Sequence, residues 1–409
     1  MASPEIIQRA RRWMVSGLVV SIIGTRLVEG GSDGAVAQEL LPLLWIGVLA
    51  TISKGLGFAA PITARVLSRY NPAAVLVASD LAETLLSALA LAALLVFPGH
   101  TPAILVVYLA LAAVFPAVTD VVEEFYAQQL AHLAPGQALS FNTAVYSVLG
   151  FIGLVVGMPV GSFVSGQSIV LLIALNMAFS ALGVCFRFVS SRTVVTAPFA
   201  DQDASEFSAT GAQMSLRRFV SDLVHSGPAS PAVEFVTSIG RNLAGIFVYL
   251  WIASTMPWSP ATSLAIVVAC FGIGATVGPF LAPLARRFLS ARASVLLALY
   301  AALALVVLFA CCVLVVGAAW PIALAYVVAM GVVMRMRDVL ITTLRQESFR
   351  GRQFTTIMSW SFALSSFGAL VGSWAGVAFH VPQNPVVGLA ALAVALVVTI
   401  SVVTRASRP

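Results

Sequence analysis

Twelve apolar stretches of about 18 or more residues dominate this chain, and that length of apolar helix is what crosses the hydrocarbon core of a bilayer. They run approximately over 13–31, 40–63, 73–97, 102–123, 143–164, 167–190, 233–256, 261–284, 293–317, 319–341, 354–379 and 385–404. A chain in lipid must satisfy its own backbone hydrogen bonds, so continuous apolar runs of this length are helices. A barrel strand needs only ~10 residues and alternates its sides. Apolar residues make up 60% of the 409 and charged ones only 9%, against about 25% charged in globular domains. The fold class expected is therefore an all-α membrane protein of 12 transmembrane helices.

The first stretch follows Arg9, Arg11 and Arg12 as a secretion signal would, but Arg26 and Glu29 interrupt it and no small-residue cleavage site follows. It reads as a retained helix. Cys185, Cys270, Cys311 and Cys312 all fall within spans, so they form neither a disulfide framework nor a metal-ligand spacing. The formal net charge is +6. It is spread over many short loops rather than gathered on one basic face, which argues against nucleic acid as a partner.

Orientation follows from the basic residues. Of 22 Lys and Arg, 19 are arginines that alternate-loop assignment puts on one side of the membrane; the opposite loops have none. The other three, Arg26, Lys54 and Arg241, lie within spans. The positive-inside rule then makes both termini cytoplasmic, in a multi-pass protein of the cell (inner) membrane. Trp45, Trp258 and Trp320 fall at outer ends of spans and Trp13 at the inner start of the first, as interfacial aromatics do.

The chain also repeats itself. Gly153, Gly157 and Gly161 in the fifth span recur as Gly368, Gly372 and Gly376 in the eleventh, 215 positions later. Gly55 and Gly57 recur as Gly272 and Gly274, 217 positions later. Two glycine sets at nearly one offset, in corresponding spans, indicate six plus six helices. The expected organisation is an N-terminal bundle (1–190), a polar cytoplasmic linker (191–232) with a short surface helix over 216–224, and a C-terminal bundle (233–409).

Two parallel six-helix halves joined by a cytoplasmic loop resemble the major facilitator superfamily. The stretch Ala60-Pro-Ile-Thr-Ala-Arg65-Val-Leu-Ser-Arg69 is similar to that superfamily's loop signature between helices two and three, with Arg65 and Arg69 matching and Ala60 and Ala64 replacing its glycine and aspartate. Gly153 to Gly161 with Pro159 is similar to its antiporter glycine-proline motif, the proline displaced by one position. Together with Ser238-Ile-Gly-Arg-Asn-Leu and Phe349-Arg-Gly-Arg, the chain resembles the branch of enterobactin-exporter-like and drug-efflux proteins. The resemblance implies a secondary transporter that exports a small organic molecule, drug-like, siderophore or other metabolite, by alternating access, with protons as a candidate coupling ion. The fourth span lacks the arginine that proton-coupled drug exporters carry, which weighs against their usual coupling route.

Ionised groups at bilayer depth cost roughly 2.5–3.5 kcal/mol each on insertion scales and persist mainly where they pair or line water. Arg26, Glu29 and Asp33 share one face if their helix continues, with Glu29 the first candidate for proton coupling; the competing reading makes Glu29 a counter-ion of Arg26 and Asp33 an outer-loop residue. Lys54 is a candidate to hold an anionic substrate group or to pair with Asp80 or Glu83 of the third span. Arg241, 215 positions after Arg26, is its candidate counterpart. Asp120, Glu123 and Glu124 answer Asp338, with Arg335 and Arg337 beside it; with Arg65 and Arg69 these are candidate gate ion pairs, or else a solvated cluster. Asn142, Tyr146, Tyr249 and Trp360 are candidates to line an apolar cavity with few polar tips.

The partners implied are a small-molecule substrate and membrane lipid; no cofactor and no metal is indicated. Uptake of an organic anion, led by Lys54, Arg26 and Arg241, is the alternative transport reading, and a non-transporting sensor or scaffold is the alternative outside transport. An enzyme is not expected, because His100, His132, His225 and His380 fall in separate loops and no nucleophile–base pair is visible.

Overall fold

The computed structural model describes residues 4–39, 42–112, 114–133, 138–165, 168–193, 227–317, 319–349 and 351–405. Most of the expected linker, including the short helix expected over 216–224, lies outside the described residues. The helices are α1 (Pro4–Ala37), α2 (Leu44–Gly55), α3 (Ala60–Leu67), α4 (Pro72–Val96), α5 (Thr101–Ala112), α6 (Val114–Leu133), α7 (Ala138–Leu149), α8 (Met158–Ser165), α9 (Ile169–Thr193), α10 (Pro231–Ser254), α11 (Pro260–Phe288), α12 (Ala291–Val316), α13 (Trp320–Ser348), α14 (Gly351–Ala378) and α15 (Pro385–Arg405). A 3₁₀ turn, Leu56–Ala59, joins α2 to α3, and a π-helical stretch, Gly150–Gly157, joins α7 to α8.

Several starts are written in the sequence. The side chains of Asn71, Ser230, Ser259 and Ser290 accept hydrogen bonds from backbone N–H groups of Ala73, Ala232, Thr262 and Ala293 in the first turns of α4, α10, α11 and α12. After the first three a proline follows directly, where its missing N–H costs nothing.

Among the described residues, eleven helical runs are long and apolar enough to cross a membrane. The remaining expected span, 319–341, falls on α13, which is 29 residues long but carries Arg335, Arg337, Asp338 and Arg345 in its second half. The apolar surface of the spans faces outward: Val315, Phe288, Ile62 and Leu89 are among the most exposed side chains, as lipid contact requires. At the end of the spans away from the arginines, Trp258 and Trp320 meet edge to face at 5.4 Å.

The helices pack as two groups with a seam between them. In the first, α1 packs on α8 and α9, and α4 on α9 and α6; in the second, α10 packs on α14 and α15, α11 on α13, and α12 on α13 and α15. The seam is made by α11 against α7, the π stretch and α8, by α14 against α2 and α3, and by α13 against α7.

The repeated glycines do the same work in both groups. A methyl group on Gly157 would come within 2.9 Å of Arg26 Cβ, and one on Gly161 would strike the Leu27 carbonyl, both on α1. Methyls on Gly368 and Gly372 would strike the carbonyls of Phe235 and Ile239, and one on Gly376 the ring of Phe247, all on α10. Each ladder thus lets one helix lie directly on the backbone of the first helix of its own half.

Two local expectations change. α1 continues to Ala37, so Asp33 stands on a helix and is not an outer-loop residue; the glycine-rich stretch Gly30 to Gly34 is tolerated because Gly30 and Gly34 pack against the Met158 and Ser162 backbone of α8. Arg187, Arg337 and Arg345, counted with the loops of the arginine-rich face, are buried inside α9 and α13.

Candidate functional site

A cavity of about 350 Å³ lies between the two groups. Its walls come from α1 (Leu18, Ile22, Arg26), α6 (Asp120, Glu123, Glu124), α7 (Asn142, Tyr146), α10 (Glu234, Arg241), α13 (Arg335, Asp338, Thr342, Arg345, Gln346) and α14 (Met358, Phe362, Ser365). By chain direction most of these positions lie in the half of the spans that adjoins the arginine-rich loops, while Arg26 lies past the middle of its span. The hollow is therefore lined by charged and apolar groups together and shared by both halves of the repeat.

The repeat shows in its charges. Arg26 and Arg241, 215 positions apart, both line the cavity. At the same spacing Asp120 answers Arg335 and Glu123 answers Asp338. The α13 wall carries a carboxylate that three guanidinium groups share: Asp338 lies 3.0 Å from Arg337, 3.5 Å from Arg335 and 3.8 Å from Arg241. Arg337 is spoken for elsewhere, since it also pairs with Glu234 at 3.2 Å, and Glu234 pairs in turn with Arg345 at 3.3 Å. Arg345 Nε donates to the Ala229 carbonyl at 3.1 Å. Arg241 and Arg335, with 42% and 23% of their side chains exposed, are thus left with one distant, shared counter-ion facing the hollow.

On the opposite wall Arg26 is bonded to Glu29 one turn along α1. Asp120 is open to the cavity and makes no hydrogen bond or ion pair among the described residues; its nearest opposing charges are Lys54 and Arg26. Glu123 is tied to Arg187 of α9 at 2.6 Å.

The halves are held together at the cavity by amide and hydroxyl groups. Asn142 Nδ2 donates to Thr343 Oγ1 and to Gln346 Oε1, both at 2.9 Å. The Tyr146 and Thr342 hydroxyls meet at 3.0 Å, and Gln346 Nε2 donates to Glu124 Oε2 at 3.1 Å. Beside this latch Ala60, Ala64, Val121 and Phe125 of one half pack on Phe354 and Met358 of the other.

The ion-pair gate expected from the sequence has a different geometry here. Arg65 and Arg69 are exposed at the end of α3, while Glu123, Arg335, Arg337 and Asp338 pair within their own halves. Asp80 pairs with Arg187 at 3.1 Å and not with Lys54, which is exposed in the last turn of α2 and is not a cavity wall residue. Glu83 is buried within the first half. Of the expected cavity residues Asn142 and Tyr146 line it; Tyr249 packs on Phe271 at 5.8 Å in the second core, and Trp360 is half-buried on α14. Glu124, Thr342, Thr343 and Gln346 carry the latch, and Arg187, Glu234 and Arg345 the internal pairs. In the sequence Glu124 stands among the candidate gate carboxylates, Arg187 and Arg345 count among the 19 arginines of one face, and Thr342, Thr343, Gln346 and Glu234 carry no signal.

No protein-family model and no curated protein matches the sequence. Solved structures do match it. The human organic anion transporter MFSD10 (TETRAN) is similar over 98% of this chain and 100% of its own, at TM-score 0.68 and 11% identity. A bacterial homologue of the iron transporter ferroportin, in an outward-facing state, is similar over 97% and 99%, at 0.66 and 13%. The major facilitator superfamily transporter FucP, in its outward conformation, is similar over 98% and 99%, at 0.69 and 15%. Full-length likeness to three such structures, on top of the paired glycine ladders and the cavity between halves, shows that this multi-pass membrane chain has the major facilitator fold.

Proposed function

We propose that the protein is a secondary transporter that carries a small organic molecule with an anionic group out of the cell across the inner membrane, by rocking its two halves, 1–190 and 233–409, about the cavity. The observation that carries this reading is the pair Arg241 and Arg335, exposed to the hollow with a single shared carboxylate. Two guanidinium groups in that position are satisfied by a substrate carboxylate, sulfonate or phosphate, which forks onto them better than onto a point charge. Leu18, Ile22, Met358 and Phe362 supply the apolar wall for the rest of such a molecule.

The arginine-rich loops support a cytoplasmic side for both termini and the linker, by the positive-inside rule. Most of the cavity wall lies in that half of the spans, where an exporter takes up its load. The likeness to an organic anion transporter agrees with the chemistry of the site but rests on fold alone.

Alternating access then needs the latch to break: opening toward the cytoplasm separates Asn142 and Tyr146 from Thr342, Thr343 and Gln346, and a bound anion biases that equilibrium only by its different affinity for the two states. The test is counterflow in proteoliposomes preloaded with benzoate, succinate or fluorescein. Exchange that is lost in Arg241→Gln with Arg335→Gln supports the reading. Equal exchange of a neutral solute, or no exchange with any of the three, overturns it, and vesicles of known orientation decide between export and the alternative of uptake.

A further inference from the structure

We infer that the first half contains a proton-binding site of its own, Asp80 of α4 paired with Arg187 of α9 and Glu83 one turn along α4, with Glu123 of α6 linking it to the cavity. This rests on the transport reading above, and names its coupling ion and the residues that hold it.

Four side chains converge in the interior of the bundle. Arg187 Nε lies 3.1 Å from Asp80 and its Nη2 2.6 Å from Glu123. Asp80 and Glu83 stand three residues apart on one face of α4. Arg187 and Asp80 expose only 4% and 1% of their side chains. Three carboxyl groups thus face one guanidinium. If all three were ionised, two negative charges would stand uncompensated in an apolar bundle, an arrangement that burial penalises heavily. Protons remove that surplus.

Glu83 is the seat. It has no ion pair among the described residues; Asn176 Nδ2 donates to it at 3.4 Å, and that amide also serves Ser87 at 3.3 Å and Tyr108 at 2.8 Å. The groups around it are Ser21 of α1, Asp80 and Ser87 of α4, Tyr108 of α5, and Asn176, Ser180 and Arg187 of α9, with Glu123 and Asp120 beyond on α6. Only one of these is a cation.

Idle polar atoms complete the site. Asn176 Oδ1 and Arg187 Nη1 are buried and have no hydrogen-bond partner among the described residues. The first is an acceptor that suits the O–H of a protonated carboxyl. The second is a donor that suits the carboxylate left when the proton departs. Asn176 Oδ1 lies over Gly24 of α1 while Nδ2 faces Glu83, so the acceptor reaches a protonated Glu83 by a turn of the amide, and the idle donor of Arg187 stays beside the carboxylates.

Glu123 is the route in. It lies on the cavity wall and on Arg187 at once. A proton taken from cavity water by the Glu123 carboxylate weakens its hold on Arg187, and transfer of that proton inward to the carboxylate of Asp80 or Glu83 restores it; the first step moves one proton from water to Glu123 and the second moves the same proton from Glu123 to a carboxylate of α4. Glu29 differs in its setting, since it has an ion-pair partner in Arg26 and leaves 40% of its side chain exposed.

The test is infrared spectroscopy of the purified full chain in lipid at neutral pH, with fluorescein counterflow measured on the same preparations. Wild type should show the C=O stretch of a protonated carboxylic acid that Glu83→Gln abolishes and Glu29→Gln keeps. Asn176→Ala, which removes no carboxyl, should shift that band without removing it. In vesicles, Glu83→Gln should retain counterflow but lose its acceleration by an imposed pH gradient. Absence of the band in wild type, or its survival unchanged in both Glu83→Gln and Asp80→Asn, overturns the proposal. Absence of counterflow in wild type counts against the transport reading, while the infrared result still decides the proton site.

Discussion

Asp120 and Arg335 occupy corresponding places in the two halves, 215 positions apart, and face one cavity with opposite charges. The duplicated scaffold has thus been given a polarity that its backbone lacks: an acidic wall on α6 and a basic wall on α13. An anion entering the hollow is drawn to one side of it.

Arg335→Gln is therefore expected to raise the KM for a transported anion about tenfold, the effect of losing about 1.4 kcal/mol of binding, while Asp120→Asn should lower it. Counterflow kinetics in proteoliposomes at fixed ionic strength check both signs. Equal changes in the two variants would mean that the polarity has no bearing on the substrate.

Removing the latch should shift the equilibrium between states. Each neutral hydrogen bond contributes on the order of 0.5–1.5 kcal/mol net, so Asn142→Ala, which deletes two, should favour the cytoplasm-open form by about fivefold or more. Spin labels on the cytoplasmic ends of α7 and α13 would report a longer mean distance. An unchanged distribution would show that the apolar contact of Phe125 with Phe354 and Met358 closes that face alone.

The glycine ladders predict matched damage. Gly161→Val and Gly376→Val should each destabilise by roughly 1–3 kcal/mol or more, since neither α1 nor α10 can withdraw without unpacking its half. Gly55→Ala, whose added carbon meets nothing within 4 Å, should be tolerated. Thermal unfolding in detergent ranks the three.

Ion pairs should divide by burial. Arg337, itself buried between Glu234 and Asp338, should cost about 1.5–3 kcal/mol when replaced by Gln, because each carboxylate loses its shortest ion pair while Glu234 keeps Arg345 and Asp338 keeps Arg335 and Arg241. Arg286 and Glu347, 3.4 Å apart but in the open, should give under about 1 kcal/mol on the same replacement. A chemical denaturation series separates the two classes.

Much of the fold was legible because lipid leaves a chain few options: length and apolar character mark each crossing, and Gly153 to Gly161 repeating as Gly368 to Gly376 marks the duplication. Arg26 and Arg241 were legible as a pair for the same reason. The partners were not. Arg187 reads as one more topology-setting arginine, yet it turns inward to Asp80 and Glu123; Asp80 and Glu83 read as partners for Lys54, which points elsewhere. Each residue turns a side chain about 100° around its helix, so contacts across a bundle depend on the rotation and neighbours of every rod, and a single sequence does not contain them. Glu29, picked out for proton exchange, was legible in place but not in balance, since its charge is already met by Arg26.

Arg26 lies against Gly153 and Gly157, and the strand of backbone that holds those glycines runs without a break into α7, where Asn142 and Tyr146 grip the other half. With no side chain between them to absorb displacement, a tug on Arg26 is a tug on the clasp about two to four turns away. Cargo touching Arg26 would thus work the lever directly, and loading and release would be one mechanical event.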